Sequence, residues 1–393
     1  MRIHKILAEA VVLACKQIFD EGNHANFVIS QTLASDKRWG SRDRKFVAEN
    51  IIYILKNFRF LVYVSNGEWN QKQDFNKIIT ATFFVRYQVL VDFYDFKETD
   101  FQLNTNDLEL KVKHSFSDFI DEILTKDLGE AQWQIEAEAS NQEAKTYLRV
   151  NSSKVGYKEC LQSVENEGIE FVELEIPNCL ELIKRQDVRN TSAYKNGWIE
   201  IQDAGSQSIG LFTEAEKHKK IIDACAGAGG KSLHLADLTK QNAQIVSMDI
   251  EVLKLKELTK RSERSGFTSI KTHLHQHNTL KKYSNWADLL LLDVPCSGLG
   301  VLKRNPDDKW KLTSDRLNQL LEMQYDILKT YPQMLKVSGI LVYATCSIYS
   351  LENQKQIETF LVENPNFELI EQKQLFPSDG FDGFYMAKLL KNG

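Results

Sequence analysis

Apolar positions near the amino end recur at helical spacing. Ile6-Leu7, Ala10-Val11, Ala14 and Ile18 fall on one helix face. Phe46-Val47, Ile51, Ile54-Leu55 and Phe58 do the same in a second helix predicted from Ser41 through Phe60. Residues 66–140 stay helix-like but become acidic, with Asp92, Asp95, Glu98, Asp100, Asp107 and Glu109, and read as a solvated outer face. At Thr146 the period changes. Tyr147–Asn151 predicts a strand, Lys158–Glu165 a helix and Gly168–Val172 a returning strand, which together make a small α+β unit. Trp198–Asp203 alternates as a short strand ahead of Gly205 and Ser206.

Beyond residue 219, strand and helix patterns alternate. Ile221–Ala224, Gln244–Asp249, Ile270–Leu274, Leu289–Asp293 and Ile340–Ala344 read as strands. Between them, Ser232–Leu238, Glu251–Ser262 and Ser314–Leu335 read as helices. Four consecutive leucines, 289–292, with no polar break are what a strand buried on both faces requires. A β-α-β-α order with such strands implies an α/β fold with a doubly wound, mostly parallel sheet. Phe367–Ile370 and Phe384–Leu389 are expected to add edge strands. The expected domains are 1–140, all helical; 141–190, a small α+β linker domain; and 191–393, the α/β domain.

Composition narrows the class. With 393 residues, 42% hydrophobic and 26% charged, the chain is long enough for two or three ordinary globular domains. No apolar run approaches the roughly 20 residues of a membrane span. His4, Lys5 and Glu9 break the apolar pattern too early for a secretory signal, so a cytoplasmic protein is expected, with no membrane partner. The six cysteines are scattered without a C-x-x-C pair, which indicates neither a zinc site nor a disulfide framework. His273, His275 and His277 alternate and would share a strand face, but the outer two stand too far apart to hold one metal easily; no metal is expected. A net charge of −5 argues mildly against a nucleic-acid partner, so any such reading rests on local clusters. One cluster is Lys37–Lys45, with Arg38, Arg42, Arg44 and Trp39. It reads either as a solvated loop and helix start or as a phosphate-contacting patch with an aromatic ring for stacking.

The chemistry gathers at strand ends. Asp223-Ala224-Cys225-Ala226-Gly227-Ala228-Gly229-Gly230-Lys231-Ser232 joins the first strand of the alternating region to its helix. Its glycines let backbone amides approach a ligand at a helix N-terminus. The loop lacks the glycine spacing of a Walker A motif. Asp249, ending the next strand, suits a ribose diol. The pair fits an adenosine-containing cofactor, either a dinucleotide or S-adenosylmethionine; the bland alternative is a tight βα turn with a capping Asp. Asn278 would either bond an adenine edge or turn the chain. Asp293 and Cys296 follow the leucine strand, and Cys346 follows Leu341–Thr345, so two thiols stand at the ligand edge of one sheet. A thiolate beside a methyl donor suggests one reaction: addition to carbon 6 of a pyrimidine, which makes carbon 5 nucleophilic.

Asp223–Lys231, Asp293-Val-Pro-Cys-Ser-Gly298, Arg304-Asn-Pro-Asp307 and Tyr343-Ala-Thr-Cys-Ser347, in this order, resemble the motifs of the RsmB/Nop2/Sun family of RNA cytosine-5 methyltransferases. Upstream, Leu148-Arg149-Val150-Asn151 and Gln202–Gln207 match that family's preceding segment, and the first helices, with Arg42-Asp43-Arg44, are similar to the NusB-like RNA-binding domain of its bacterial RsmB branch. The resemblance implies a Rossmann-like methyltransferase domain that uses S-adenosylmethionine. It implies that Cys346 is the nucleophile, that Cys296 releases methylated RNA, and that Asp293 contacts the cytosine near the cofactor. It implies a cofactor site of Cys225, Ala226, Gly227, Ala228, Gly229, Gly230, Lys231 and Asp249, with Asn278 and Asp293 beside it. Arg42, Arg44, Arg149 and Arg304 become candidate RNA contacts. Two departures stand out: Gly227-Ala228 replaces the usual Ala-Pro, which predicts a looser loop, and the family often has an acid where Asn278 lies. The expected substrate is 16S (small-subunit) ribosomal RNA, acted on by a monomer. The rival readings are a tRNA methyltransferase, a non-catalytic RNA-binding assembly factor that keeps the cofactor pocket, and a dinucleotide oxidoreductase, which would leave both thiols unexplained.

Overall fold

A computed structural model describes residues 3–102 and 104–392. The chain divides into two units, 1–142 with 302–314, and 143–301 with 315–393.

The first unit is helical. Its main helices are Lys5–Phe19, Ala25–Ser35, Ser41–Val64, Phe75–Tyr87, Asp118–Leu128 and Glu130–Asn141. The predicted stripes form its core: Val11 and Ile18 meet Val47, Ile51, Ile54 and Leu55. Asp74 caps the fourth helix by accepting from the Asn76 N–H at 2.9 Å. Segment 302–314 packs into this unit although its neighbours in sequence belong to the other. The Trp310 indole donates to Leu55 O at 2.8 Å, and Asp307 accepts from the Ala25 N–H at 3.1 Å. The Lys309 ammonium is buried, donating to the carbonyls of Lys56, His114 and Ser115 and lying 4.0 Å from the Phe116 ring centre. Burial drives its pKa well below the usual lysine range.

Two expectations for the basic stretch change here. Trp39 is buried in the helical core and offers no face for stacking. Arg44 is spent on its own chain: its guanidinium donates to the carbonyls of Trp39, Leu33 and Asp36 and so ties down the turn before its helix. Arg38 pairs with Asp36, whereas Arg42 and Lys45 are exposed.

The second unit holds two sheets. The smaller comprises β1 (Tyr147–Val150), β2 (Phe171–Glu173), β3 (Cys179–Leu182) and β4 (Ile199–Ile201). Its order is β2-β3-β1-β4, all antiparallel. Helix Tyr157–Asn166 lays Cys160 and Val164 against Leu148, Val150 and Leu180. The strand β3 has no counterpart in the sequence reading.

The larger sheet comprises β5 (Lys220–Asp223), β6 (Gln244–Asp249), β7 (Ile270–Leu274), β8 (Ala287–Asp293), β9 (Leu335–Thr345), β10 (Phe367–Leu375) and β11 (Phe384–Lys391). The order is β10-β11-β9-β8-β5-β6-β7. Strands β5 to β9 are parallel, and β11 is antiparallel to both β9 and β10. Leu289 to Leu292 are fully buried, as two covered faces demand. The tail differs from expectation in one respect. Only β10 is an edge strand; β11 lies between it and β9 and continues the buried core with Tyr385, Ala387 and Leu389. The long helix predicted to Leu335 ends at Thr330, because Pro332 cannot continue its hydrogen bonding and the chain tightens into a 3₁₀ turn over Tyr331–Met334.

Arg149 is the clearest correction. It is 1% exposed, its Nε donates to Gln202 Oε1 at 2.8 Å, and its Nη1 pairs with Asp237 at 3.3 Å. It fastens the small sheet to helix Gly230–Leu238 of the larger domain and cannot reach a nucleic-acid backbone.

Candidate active site

Order along the large sheet reverses at β5, where successive crossovers run first towards β6 and then to β8. The carboxyl ends of strands beside such a switch point form a crevice. The loops after β5, β6, β8 and β9 bring Cys225–Lys231, Asp249, Asp293–Cys296 and Cys346 to that edge.

The glycine loop is held by its own backbone. The Ala226 N–H donates to Met248 O at 2.8 Å and the Gly229 N–H to Ala226 O at 2.9 Å, while Arg261 Nη1 donates to Ala228 O at 2.7 Å. Gly227 has φ +54°, a left-handed conformation that glycine adopts at less cost than alanine. Asp249 reaches back to this loop: Oδ2 accepts from the Gly227 N–H at 2.9 Å and Oδ1 from the Glu251 N–H at 2.8 Å. Each carboxylate oxygen keeps a second acceptor position. A Cβ added at Gly227 or Gly230 would meet nothing within 4 Å, so open space lies against the loop at the start of helix Gly230–Leu238. An acid with spare acceptor positions, a backbone free of side chains and a helix N-terminus together fit an adenosyl amino-acid cofactor.

Lys231 and Asp293 form an ion pair of 2.6 Å. Burial opposes the ammonium, but the Asp293 carboxylate outweighs it and raises the Lys231 pKa. Below them Asp223 is fully buried, accepting from the Ser232 hydroxyl at 2.6 Å. Burial pushes its carboxyl up to about 7, against the Ser232 bond, with the Asp293 and Asp249 charges adding to the rise.

The two thiols meet. Cys296 Sγ and Cys346 Sγ are 3.2 Å apart, and the Cys346 N–H donates to Cys296 Sγ at 3.3 Å. Either thiol can be the donor across the S···S contact. The bond to Cys346, and then burial, hold the Cys296 pKa well above the usual thiol range. Cys15, Cys160 and Cys179 are buried elsewhere, whereas Cys225, Cys296 and Cys346 are the three partly accessible ones. The loops of the pair approach closely: the Gly300 N–H donates to Cys346 O at 3.0 Å, and a Cβ at Gly300 would lie 2.1 Å from Gly383 O.

Glu352 went unnoticed in the sequence. It is fully buried and accepts from the Ser297 N–H at 2.7 Å and from the hydroxyls of Ser297 and Ser347, the residues that follow the two cysteines. The only available signal was its place five residues after Ser347. Asn278 lies in the exposed turn after β7; the residue adjoining Asp249 is His275, whose N–H donates to Asp249 O at 2.9 Å. The three histidines do not share a face, since β7 ends at Leu274. His273 bonds Thr279 and His275 stacks on Tyr331. Among the described residues no group of three His, Cys, Asp or Glu is placed to hold a metal ion, and no helix is long and apolar enough to cross a membrane. Arg304 is exposed.

The sheet order, its glycine loop and the acids along one edge define a Rossmann-like methyltransferase fold. The crystal structure of PH0851 superposes over 100% of both chains with a TM-score of 0.80 at 21% identity. That of NSun6 from Pyrococcus horikoshii with SFG covers 71% of this chain and 99% of its own, with a TM-score of 0.65 at 17% identity. Residues 211–390 match the family model described as 16S rRNA methyltransferase RsmB/F, and residues 117–189 match its RsmF/B-like ferredoxin-like domain. The chain belongs to the RsmB/F methyltransferase family. Ribosomal RNA small subunit methyltransferase B of Klebsiella pneumoniae is 34% identical over 274 residues, 66% of this chain and 62% of the relative. The Escherichia coli protein of the same name is 33% identical over 274 residues, 66% of this chain and 63% of its own. The match thus spans less than two thirds of these relatives' length.

Proposed function

We propose that this chain is an S-adenosylmethionine-dependent RNA cytosine-C5 methyltransferase acting on 16S ribosomal RNA through a covalent adduct between Cys346 and cytosine carbon 6. The observation that carries the reading is the pair of thiols 3.2 Å apart at the mouths of adjacent strands. A non-catalytic assembly factor would have no use for it. The relatives' name supports small-subunit ribosomal RNA over tRNA. The exposed Arg42 and Arg304 remain candidate contacts for the RNA backbone.

S-adenosylmethionine, held by the glycine loop and Asp249, supplies an electrophilic methyl group. The chain's own residues do the rest. Cys346, relieved of its proton, adds to carbon 6, and the electrons of the 5,6 double bond move to carbon 5, which takes the methyl group. Asp293, oriented by Lys231, faces the ring. Once bonded to carbon 6, Cys346 is a neutral thioether and no longer shares the Cys296 proton, which passes to solvent. The Cys296 sulfur then takes the carbon 5 proton, the C–H electrons re-form the 5,6 double bond, and the Cys346–carbon 6 bond breaks with its electron pair returning to the Cys346 sulfur.

Incubating the protein with small-subunit RNA, tRNA and labelled S-adenosylmethionine, followed by bisulfite sequencing, tests the assignment. Label in 5-methylcytosine of the ribosomal RNA is expected. Label confined to tRNA would move the substrate, and none in either would favour the assembly factor. Asp249→Ala is expected to weaken cofactor binding by about 1.5–3 kcal/mol, the worth of hydrogen bonds to a charged group. Calorimetry giving an unchanged affinity would remove Asp249 from the site.

A further inference from the structure

We propose that Glu352 is the positioning residue that fixes the two cysteine loops against each other and decides which thiol carries the proton. This inference rests on the methyl-transfer reading above. Glu352 Oε1 accepts from the Ser297 N–H at 2.7 Å and from Gln324 Nε2 at 3.0 Å. Its Oε2 accepts from the hydroxyls of both Ser297 and Ser347, which stand 3.3 Å apart. One side chain therefore straps the residue after Cys296 to the residue after Cys346. The Gln324 amide also donates to Pro295 O at 2.9 Å, so the residue before Cys296 belongs to the same network. Glu352 is itself held, because the Tyr343 hydroxyl donates to its carbonyl at 2.7 Å and neighbouring Asn353 donates to Ser347 O at 2.9 Å.

Four donors converge on the two oxygens of this carboxylate. It lies in a buried place, where screening is weak. It bears on Cys296: after the bond to Cys346 and burial, the Cys346 and Glu352 charges further raise its pKa. On the other side of the pair Cys346 has the Lys231 ammonium for company. The two thiols are alike in sequence, each following a strand and preceding a serine, but the charges around them differ. That difference holds the proton on Cys296. The remaining titratable neighbours are Tyr343, whose phenol burial drives up, and Asp293 paired with Lys231. The Glu352 and Cys296 charges add to the rise at Tyr343, so its phenol is expected to titrate lower in Glu352→Gln, whereas Asp293 keeps its partner Lys231.

The test uses the full chain without RNA or cofactor, so its outcome is separate from that of the methylation assay. The pH dependence of iodoacetamide alkylation is followed at each cysteine by mass spectrometry. In Glu352→Gln the Cys296 profile is expected to move to lower pH by roughly one unit, a tenfold faster reaction at fixed neutral pH. Glu352→Asp keeps the charge and is expected to keep the wild-type profile. A profile unmoved by Glu352→Gln, or moved equally by both variants, overturns the charge role. Should Glu352→Gln fail to fold, Ser347→Ala removes one strap and leaves the charge. Oxidised glutathione then reports the spacing, the two thiols giving one disulfide and two reduced glutathiones. Ring closure is expected to slow several-fold in Ser347→Ala, and an unchanged rate overturns the clamp.

Discussion

Cys346→Ala is expected to lower methyl transfer by about 10³-fold or more, the scale on which loss of a covalent nucleophile is felt. It should still bind RNA and S-adenosylmethionine, because its side chain helps form neither the glycine loop nor the Asp249 contacts. Cys296→Ala is expected to fail differently. The nucleophile remains, so the adduct forms and the methyl group transfers, but loss of the carbon 5 proton slows and the protein stays bonded to its product. The result is a protein–RNA band that survives denaturing electrophoresis and disappears in the double variant. At a sulfur separation of 3.2 Å each thiol reaches the space the other faces, so the two substitutions must be compared for what they trap, not only for lost activity. An absent band in Cys296→Ala, with full activity in Cys346→Ala, would show the two roles to be assigned wrongly.

The parallel strands were legible because burial on both faces forces continuous apolar runs. Leu289–Leu292 could be read without knowing what covers them. The glycine loop and the acid of β6 were legible because backbone geometry and ribose recognition each restrict residue choice. Pairing between distant segments was not. Strand β11 reads as an edge strand in the tail, and nothing local says that it enters between β9 and β10. Trp39 sits among charged residues and reads as exposed, yet it packs into the helical core. Segment 302–314 carries a family motif that suggested only an RNA-binding role, while its Lys309 and Trp310 anchor it within the helical unit. Glu352 was invisible for a related reason. In Ser350-Leu351-Glu352-Asn353 it looks like any polar turn, and its partners Ser297 and Gln324 lie 55 and 28 residues away.

Arg149→Ala is expected to cost about 3–5 kcal/mol of stability, the usual result of removing one partner from a buried ion pair. The matching Lys or Arg in a surface patch would cost within about 0.5 kcal/mol, so Arg42→Ala is the control. The large figure follows from what Arg149 leaves behind. Asp237 is 2% exposed and accepts from the Ser152 N–H at 3.2 Å, the Ser152 hydroxyl at 3.1 Å and the Ser153 N–H at 2.7 Å. These donors orient the carboxylate but carry no full positive charge, and the Lys240 ammonium, 3.8 Å away and half exposed, is screened by solvent, so without the guanidinium the buried charge is poorly compensated. Gln202 loses the donor to its Oε1 as well. Urea unfolding should show a lower midpoint for Arg149→Ala with an unchanged slope, since the surface exposed on unfolding stays the same. RNA affinity of the protein that remains folded should match wild type. A variant that unfolds with wild type but binds RNA more weakly would return Arg149 to the nucleic-acid interface.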